Sequence, residues 1–486
     1  MIPVSVQHAA QVLGVPPVGA GDQSVPITSL VADSRAVTPG ALFVALRGER
    51  ADGHDFVARA RAGGAVAALV SRPVDSGLCF VVPDPLAALG ALARDQVDAG
   101  HARDLRVLAI TGSQGKTSTK DLLAQLLETT GPTVSPVGNL NNELGVPLTV
   151  ARIEPTTRFL VAEMGARGIG HIAYLCRIAP PDVALVLNVG VAHVGEFGGR
   201  PAIAQAKGEL VEALTDSGVA VLNANDPLVW AMRSRTKATV VAVGVDKQPE
   251  WDSTVWASEL ISDALGRFGF TLHACLPREP YRQVNIQLSF SGRHQVANAV
   301  AAAAAAMAVG APLEAMAAAL HAAKPRSRWR MELQVRPDGV LVINDAYNAN
   351  PDSMRAALET VAELGRVRGG RQTWAVLGDM LELGATSSAE HAALGALVAR
   401  CGVSWLIAVG SHAEEVVEAA IDAGLPGERA VIASSKVEAT QRVLAGIAPA
   451  DVVLVKASRG LALDTVAEEI LRQDPSVTSP GVESRR

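Results

Sequence analysis

At 486 residues the chain is too long for one hydrophobic core, and at roughly 100 to 200 residues per domain it predicts three domains. Hydrophobic residues make up 49% of it and aromatics only 3%, so its cores must be built from Ala, Val and Leu, which favours α/β layers over a β-sandwich. A formal net charge of −6 offers no general attraction to nucleic acid or an acidic membrane, and leaves any anionic ligand to particular loops.

In chain order, residues 1–7 lack the basic and apolar segments of a secretion signal. Residues 29–72 read as short strands and turns, with Asp33-Ser34-Arg35, Pro39-Gly40 and Asp52-Gly53-His54 as turn signals and an apolar run over 41–46. A helix-like stretch over 56–62 and a strand over 65–70 follow, and the block closes near 99–104, which sets a first domain at 1–102. The second block opens with a strand over 105–110, turns over 111–115 and continues as a helix from 116 to about 130. Strand-like runs recur at 159–162, 183–189, 219–222 and 239–243 with helical patterns between several of them, the alternation of a mostly parallel sheet. An Ala-rich helix over 294–310 and a second to about 323 end the block, because Lys324-Pro325-Arg326-Ser327 interrupts the pattern; the second domain is thus 103–324. A third, 325–473, repeats the logic with strands at 340–343, 373–377, 405–409 and 452–455. The tail 474–486 is rich in Pro, Ser and Gly without periodicity and is expected to be disordered.

No run reaches the roughly 18 strongly apolar residues of a membrane span; the longest, 297–311, is mostly alanine and contains Asn298. Cys79, Cys176, Cys275 and Cys401 lie far apart with no C-x-x-C pair, against a zinc site or a disulfide framework, and are expected to be reduced core thiols. The expectation is a cytoplasmic protein with no nucleic-acid partner and no stable membrane insertion.

The strongest local signal is Thr111-Gly112-Ser113-Gln114-Gly115-Lys116-Thr117 between a predicted strand and helix. Glycines let backbone N–H groups face an anion, the helix N-terminus adds partial positive charge, Lys116 offers a cation and Thr117 a hydroxyl for magnesium. The run departs from G-x-x-x-x-G-K-[ST], since Ile110 stands where the first glycine would be. Magnesium wants oxygen ligands at strand ends, and Glu163 and His193 both follow predicted strands. From the residues alone, Lys207 reads as an exposed helix lysine and Asn298 as a cap or surface residue that an adenine edge would also suit. The polar loop Asp345-Ala346-Tyr347-Asn348-Ala349-Asn350-Pro351 follows a strand and is explained only in part by capping from Asn350; Arg328, Arg330 and Lys456 are isolated cations, each a phosphate ligand or a solvated charge.

Together and in this order, these motifs resemble the Mur ligase family over nearly all of residues 29–472. The loop is similar to that family's T-G-[TS]-x-G-K-[TS]; Glu163 and His193 fall at its magnesium positions, Lys207 at its carbamylated lysine and Asn298 at its adenine-side asparagine. Within the family, Asn139-Leu140-Asn141-Asn142-Glu143-Leu144-Gly145-Val146-Pro147, Glu163-Met164-Gly165-Ala166 and the loop 345–351 resemble the member that adds D-alanyl-D-alanine. The diamino-acid-adding member would carry a D-N-P-R motif that is absent here. The resemblance implies a small uridine-nucleotide-binding α/β domain, a central P-loop-type ATPase domain with a mostly parallel sheet, and a C-terminal Rossmann-like α/β domain.

It further implies a monomeric enzyme that spends ATP, with two Mg2+ ions and a carbamylated Lys207, to join D-alanyl-D-alanine to UDP-N-acetylmuramoyl-tripeptide through an acyl phosphate. Lys116, Lys207 and His193 would be catalytic. Gly112, Ser113, Gln114, Gly115, Lys116, Thr117, Ser118, Asn298, Arg330 and Asp345 would hold nucleotide, and Thr117, Glu163, His193 and Lys207 the metal. Ser34, Arg35, Asn141, Asn142, Asn348 and Asn350 would contact substrate. A ligase adding a diamino acid or glutamates to folate, and a nucleotide-binding switch without ligation, are the rival readings.

Overall fold

The computed structural model describes residues 1–49, 51–190, 197, 199–277 and 279–473, so His193 and the tail 474–486 lie outside the described residues. Three sheets carry the architecture. The first has β1 (Ser29–Val31), β2 (Ala41–Val44), β3 (Ala67–Val70) and β4 (Cys79–Val81), all parallel and in chain order. β2 and β3 are buried at every position, the continuous apolar pattern of parallel strands covered on both faces.

A 17-residue helix, Pro85–His101, follows. Sequence reading saw only where it ended. Asp84 caps it by accepting from the N–H groups of Leu86 and Ala87 at 2.9 and 3.1 Å, Pro85 opens its first turn, and Leu89, Leu92, Ala93 and Val97 face the core. Many small residues dilute its apolar stripe, which hid the helical period.

The central sheet has nine strands: β5 (Arg106–Thr111), β6 (Thr133–Val134), β7 (Phe159–Glu163), β8 (Val183–Val186), β9 (Val219–Asn223), β10 (Thr239–Val245), β11 (Thr254–Ser262), β12 (Arg267–Cys275) and β13 (Arg282–Ser291). Their spatial order is β13-β12-β11-β10-β9-β8-β5-β7-β6, with the strands from β6 to β11 parallel and the last two pairings antiparallel. β5 lies between β7 and β8, so the chain turns to opposite sides of β5 and leaves a crevice at the carboxyl ends of these three strands. Sequence reading passed over β11–β13, although alternation of Val284, Ile286, Leu288 and Phe290 with polar residues along β13 was there to find it. Two corrections bear on function: β7 runs one residue further than expected, to Glu163, and β8 stops at Val186, short of 189.

The Ala-rich helix His294–Ala308 is wedged between the sheet and the helix Lys116–Glu128, and all its residues from Val300 to Ala306 are at most 3% exposed. Alanine permits that close approach. Leu313–Ala322 follows, and then the segment 323–331.

That segment is bound to the helix Lys116–Glu128. Gln125 exchanges two 3.0 Å hydrogen bonds with the Lys324 backbone, Arg326 forks onto Glu128, and the Ser327 N–H donates to Asp121 at 3.0 Å. Beyond it Trp329 (φ 58°) and Met331 (φ 49°) occupy the left-handed region on either side of Arg330.

The third sheet contains β14 (Glu332–Val335), β15 (Leu341–Asp345), β16 (Thr373–Gly378), β17 (Trp405–Val409), β18 (Ala430–Ala433) and β19 (Val452–Lys456) in the order β14-β15-β19-β16-β17-β18. Only β14 is antiparallel. β14 and β18 are edge strands too short and too exposed to show in the sequence. β15 extends to Asp345, two residues past the expected end, and registers Asp345 opposite Lys456, the last residue of β19.

Candidate active site

β5 delivers its chain into the loop 112–115, and the helix Lys116–Glu128 starts immediately after it. Gly115 adopts φ 79°, and a Cβ there would sit 2.6 Å from Asn298 Oδ1, so both backbone conformation and space require glycine. Asn298, buried in the Ala-rich helix and held by a 2.9 Å hydrogen bond to Gln295 Oε1, therefore lies against the loop, not at a helix cap. Asn188, just past β8, clamps the loop from the other side: its Oδ1 accepts from Gln114 N–H at 2.9 Å and its Nδ2 donates to Gln114 O at 3.1 Å. Ser113 N–H donates to Asn188 O, and Ser113 Oγ accepts from Gly190 N–H at 2.9 Å. Sequence reading missed Asn188; its place after a strand next to β5 was the available signal.

At the crevice, the Lys116 ammonium folds back onto Gly112 O at 2.7 Å. Burial pushes Lys116 below the usual lysine range, Glu163 opposes that shift and Arg330 adds to it. Glu163 is 1% exposed, and its Oε1 accepts from Asn141 Nδ2 at 2.9 Å while Oε2 is buried without a hydrogen-bond partner. A lone buried carboxylate oxygen is costly unless a cation comes to it, so the donor set suits a hard divalent ion. Among the described residues no three His, Cys, Asp or Glu cluster into a ready metal cage; the buried Thr117 hydroxyl and Glu163 are oxygen donors on the same cavity.

Lys207 corrects the reading from residues alone. It lies on the helix Arg200–Glu212 in the same buried stripe as Ile203, Ala206, Leu210 and Val211, is 6% exposed, and has no hydrogen-bond or ion-pair partner among the described residues. Burial, helped by the charge of Lys116, holds its amine well below the usual lysine range. It is a buried amine facing the crevice. Two residues on, Glu209 accepts from the Gly170 and Ala173 N–H groups and so fixes the start of the helix His171–Ile178.

From the third sheet, Lys456 Nζ bonds Asp345 Oδ2 at 2.5 Å and Asn348 O at 2.9 Å, and Asp345 Oδ1 accepts from Met331 N–H at 3.0 Å. Asp345 thus ties strand, loop and linker together. Arg330 stacks 4.1 Å over Tyr347, with its Nε buried and unpartnered. Burial lowers His294 to about 4, so it is neutral beside this ion pair. Asn350 accepts from Ser353 N–H at 2.9 Å, so its amide oxygen is committed to starting the helix Pro351–Val367. Likewise Asn142 Oδ1 starts the helix Gly145–Val150 by accepting from Gly145 N–H at 2.8 Å.

One cavity of about 860 Å³ gathers these groups and runs from Asp84 and Leu86, through residues 113–118 with Asn141, Glu163 and Lys207, to Arg330, Asn348 and Lys456. A smaller one of about 230 Å³ lies behind Gln114 and Gly115, lined by Leu187, Asn223, Val243, Ala297 and Asn298. Ser34 and Arg35 line neither; Arg35 is exposed and paired with Asp33 at 2.7 Å, which holds the Asp33 carboxyl down at about 2.

Family models match in three consecutive stretches: the Mur ligase family catalytic domain at residues 26–96, the Mur ligase middle domain at 110–306, and the Mur ligase glutamate ligase domain at 329–459. The chain is 43% identical, over 98% of its length and 99% of the relative's, to the UDP-N-acetylmuramoyl-tripeptide--D-alanyl-D-alanine ligase of Mycobacterium tuberculosis. The chain belongs to the Mur ligase family. Among solved structures this Mur ligase is similar to MurF from Acinetobacter baumannii, with a TM-score of 0.84, 32% identity and coverage of 97% of this chain and 99% of that one. It is also similar to the MurF ligase of Thermotoga maritima, solved in complex with ADP, with a TM-score of 0.75, 28% identity and coverage of 91% and 97%. Among the described residues no helix of this Mur ligase is long and apolar enough to cross a membrane.

Proposed function

We propose that the chain is the ligase that joins D-alanyl-D-alanine to UDP-N-acetylmuramoyl-tripeptide at the expense of ATP. One observation carries the reading: the phosphate loop, the unpartnered Glu163 oxygen and the buried Lys207 amine face a single cavity that continues toward the first sheet. The full-length relatives with that name support the choice of substrates. On this reading residues 1–102, 103–324 and 325–473 act as three domains of a cytoplasmic, monomeric enzyme.

A carboxylate is a poor electrophile, and its phosphorylation by ATP gives an acyl phosphate that the dipeptide amine attacks, expelling phosphate. The loop N–H groups of residues 112–118 and Lys116 orient the nucleotide phosphates, and the Asn188 clamp keeps the loop in shape for them. Glu163, Thr117 and Lys207 would hold magnesium, which when bound neutralises charge on the transferring phosphoryl group. The neutral amine of Lys207 is the form that reacts with carbon dioxide, so its burial supports carbamylation, which turns an amine into an oxygen ligand. Arg330 and Asn298 would complete the nucleotide site, and Arg35 with Ser34 would serve the uridine end of the substrate. Closure of the third domain over the crevice would keep water from the acyl phosphate.

The test is phosphate release by the purified protein with ATP, magnesium and UDP-N-acetylmuramoyl-tripeptide. Release that depends on D-alanyl-D-alanine is expected. Release that depends instead on a diamino acid given with the dipeptide precursor would assign a different ligase of the family, and release that depends on neither would leave a nucleotide-binding switch.

A further inference from the structure

The large cavity contains six Lys or Arg side chains, and five have their work described above or an obvious partner. Lys116 and Lys207 serve the crevice, Arg330 covers Tyr347, Lys456 is paired with Asp345, and Arg459 with Asp464 at 2.7 Å. The sixth, Arg167, is exposed at the end nearest the first sheet and has no ion-pair or side-chain hydrogen-bond partner among the described residues.

Its backbone is nevertheless well held. Gly165 N–H donates to Asn141 O at 2.8 Å, Arg167 N–H reaches His171 Nδ1 at 3.3 Å, and Glu209 occupies the Gly170 and Ala173 N–H groups. With those amides already bonded, the start of the helix His171–Ile178 cannot itself serve an anion, and the guanidinium is the free recognition group. Asp84 and Glu143 line the same cavity and repel an anion, so at that end the Arg167 guanidinium is the group that attracts one.

Arg167 follows Glu163 by four residues, a span of at most about 14 Å. On the substrate reading above, a peptide with its reacting carboxylate beside Glu163 shares this cavity with Arg167. That peptide retains a carboxylate that does not react. The geometry points to Arg167 as a specificity-determining residue that binds a non-reacting carboxylate of the muramoyl peptide, that of the glutamyl residue, through a two-pronged charge-assisted pair. The inference rests on the proposed ligase function.

Steady-state kinetics of the full chain test it with four substrates: the muramoyl tripeptide with a dicarboxylic diamino acid in third place, the same with lysine there, and each of these with the glutamyl carboxylate amidated. Arg167→Gln is expected to raise KM for both free-acid peptides by roughly tenfold to a hundredfold, leave KM for ATP within twofold, and change KM for the amidated peptides little. An equal effect on free-acid and amidated peptides, or none, would overturn the assignment, and an effect confined to the dicarboxylic third residue would move the contact to that residue's carboxylate and likewise overturn it. Turnover of these peptides by the wild type keeps the ligase reading standing in all those cases; its absence would remove both.

Discussion

Asn188 offers the sharpest test of how the phosphate loop is kept in shape. Asn188→Ala removes two hydrogen bonds, of 2.9 and 3.1 Å, that hold the half-buried Gln114 from both its N–H and its carbonyl. At about 0.5–1.5 kcal/mol net each, their loss costs the ordered loop roughly 1–3 kcal/mol. That penalty applies equally to ground and transition states, so it should emerge as a 5- to 150-fold rise in KM for ATP with a smaller change in kcat. Asn188→Asp should be worse than alanine: the carboxylate can accept from Gln114 N–H but cannot donate to its carbonyl, and it sets a negative charge beside the phosphates. Because Asn188 also borders the small cavity behind the loop, the assay includes inhibition by inorganic tripolyphosphate, which has no base to touch. Weaker inhibition in parallel with the higher KM supports the clamp; unchanged tripolyphosphate binding would refute it.

Further outcomes follow from buried charge. Lys207→Met should abolish ligation, with no recovery in bicarbonate. It should also raise the melting temperature at pH 7: an amine with a depressed folded pKa binds fewer protons than in the unfolded chain, so wild-type stability recovers as pH rises toward 10.5, by up to about 1.4 kcal/mol per pH unit, and the gap to Lys207→Met should narrow between pH 7 and pH 9. A constant gap would mean that the amine is charged in the fold. Asp121→Ala should destabilise by about 3–5 kcal/mol, because it strands Lys120, 2% exposed, without its carboxylate; calorimetry of the Lys120→Met, Asp121→Leu pair should give a much smaller loss.

How much of this was legible in the sequence depends on the range of the interaction. The loop 111–117 stands out because its signal is local: two glycines, one lysine and the threonine after it within seven residues, flanked by a strand and a helix. Glu163 was singled out by the rule that strand ends face ligands, and only the fold reveals that one of its oxygens is bonded by Asn141 and the other has no hydrogen-bond partner. Lys207 could not be judged from composition, because burial of a lysine depends on which stripe of its helix meets the sheet. Asn188 and the Asp345–Lys456 pair lie far from their partners along the chain and meet only through strand register. Asn142 and Asn350, which the resemblance assigns to substrate, have their amide oxygens bonded at helix starts, a feature that for Asn142 only the folded geometry shows.

The helix of alanines behind the phosphate loop has a consequence for what the small cavity can accept. A wall of leucine or methionine can change shape by turning a side chain, whereas Ala301 and its buried alanine neighbours have no rotamer to change and lose no side-chain entropy on burial. That stretch of the wall is fixed, and any change of shape falls to Leu187, His294 and Asn298 around it. A ligand pressing on that stretch meets backbone packed against the sheet, so on that side the limit of size is set without a moving part.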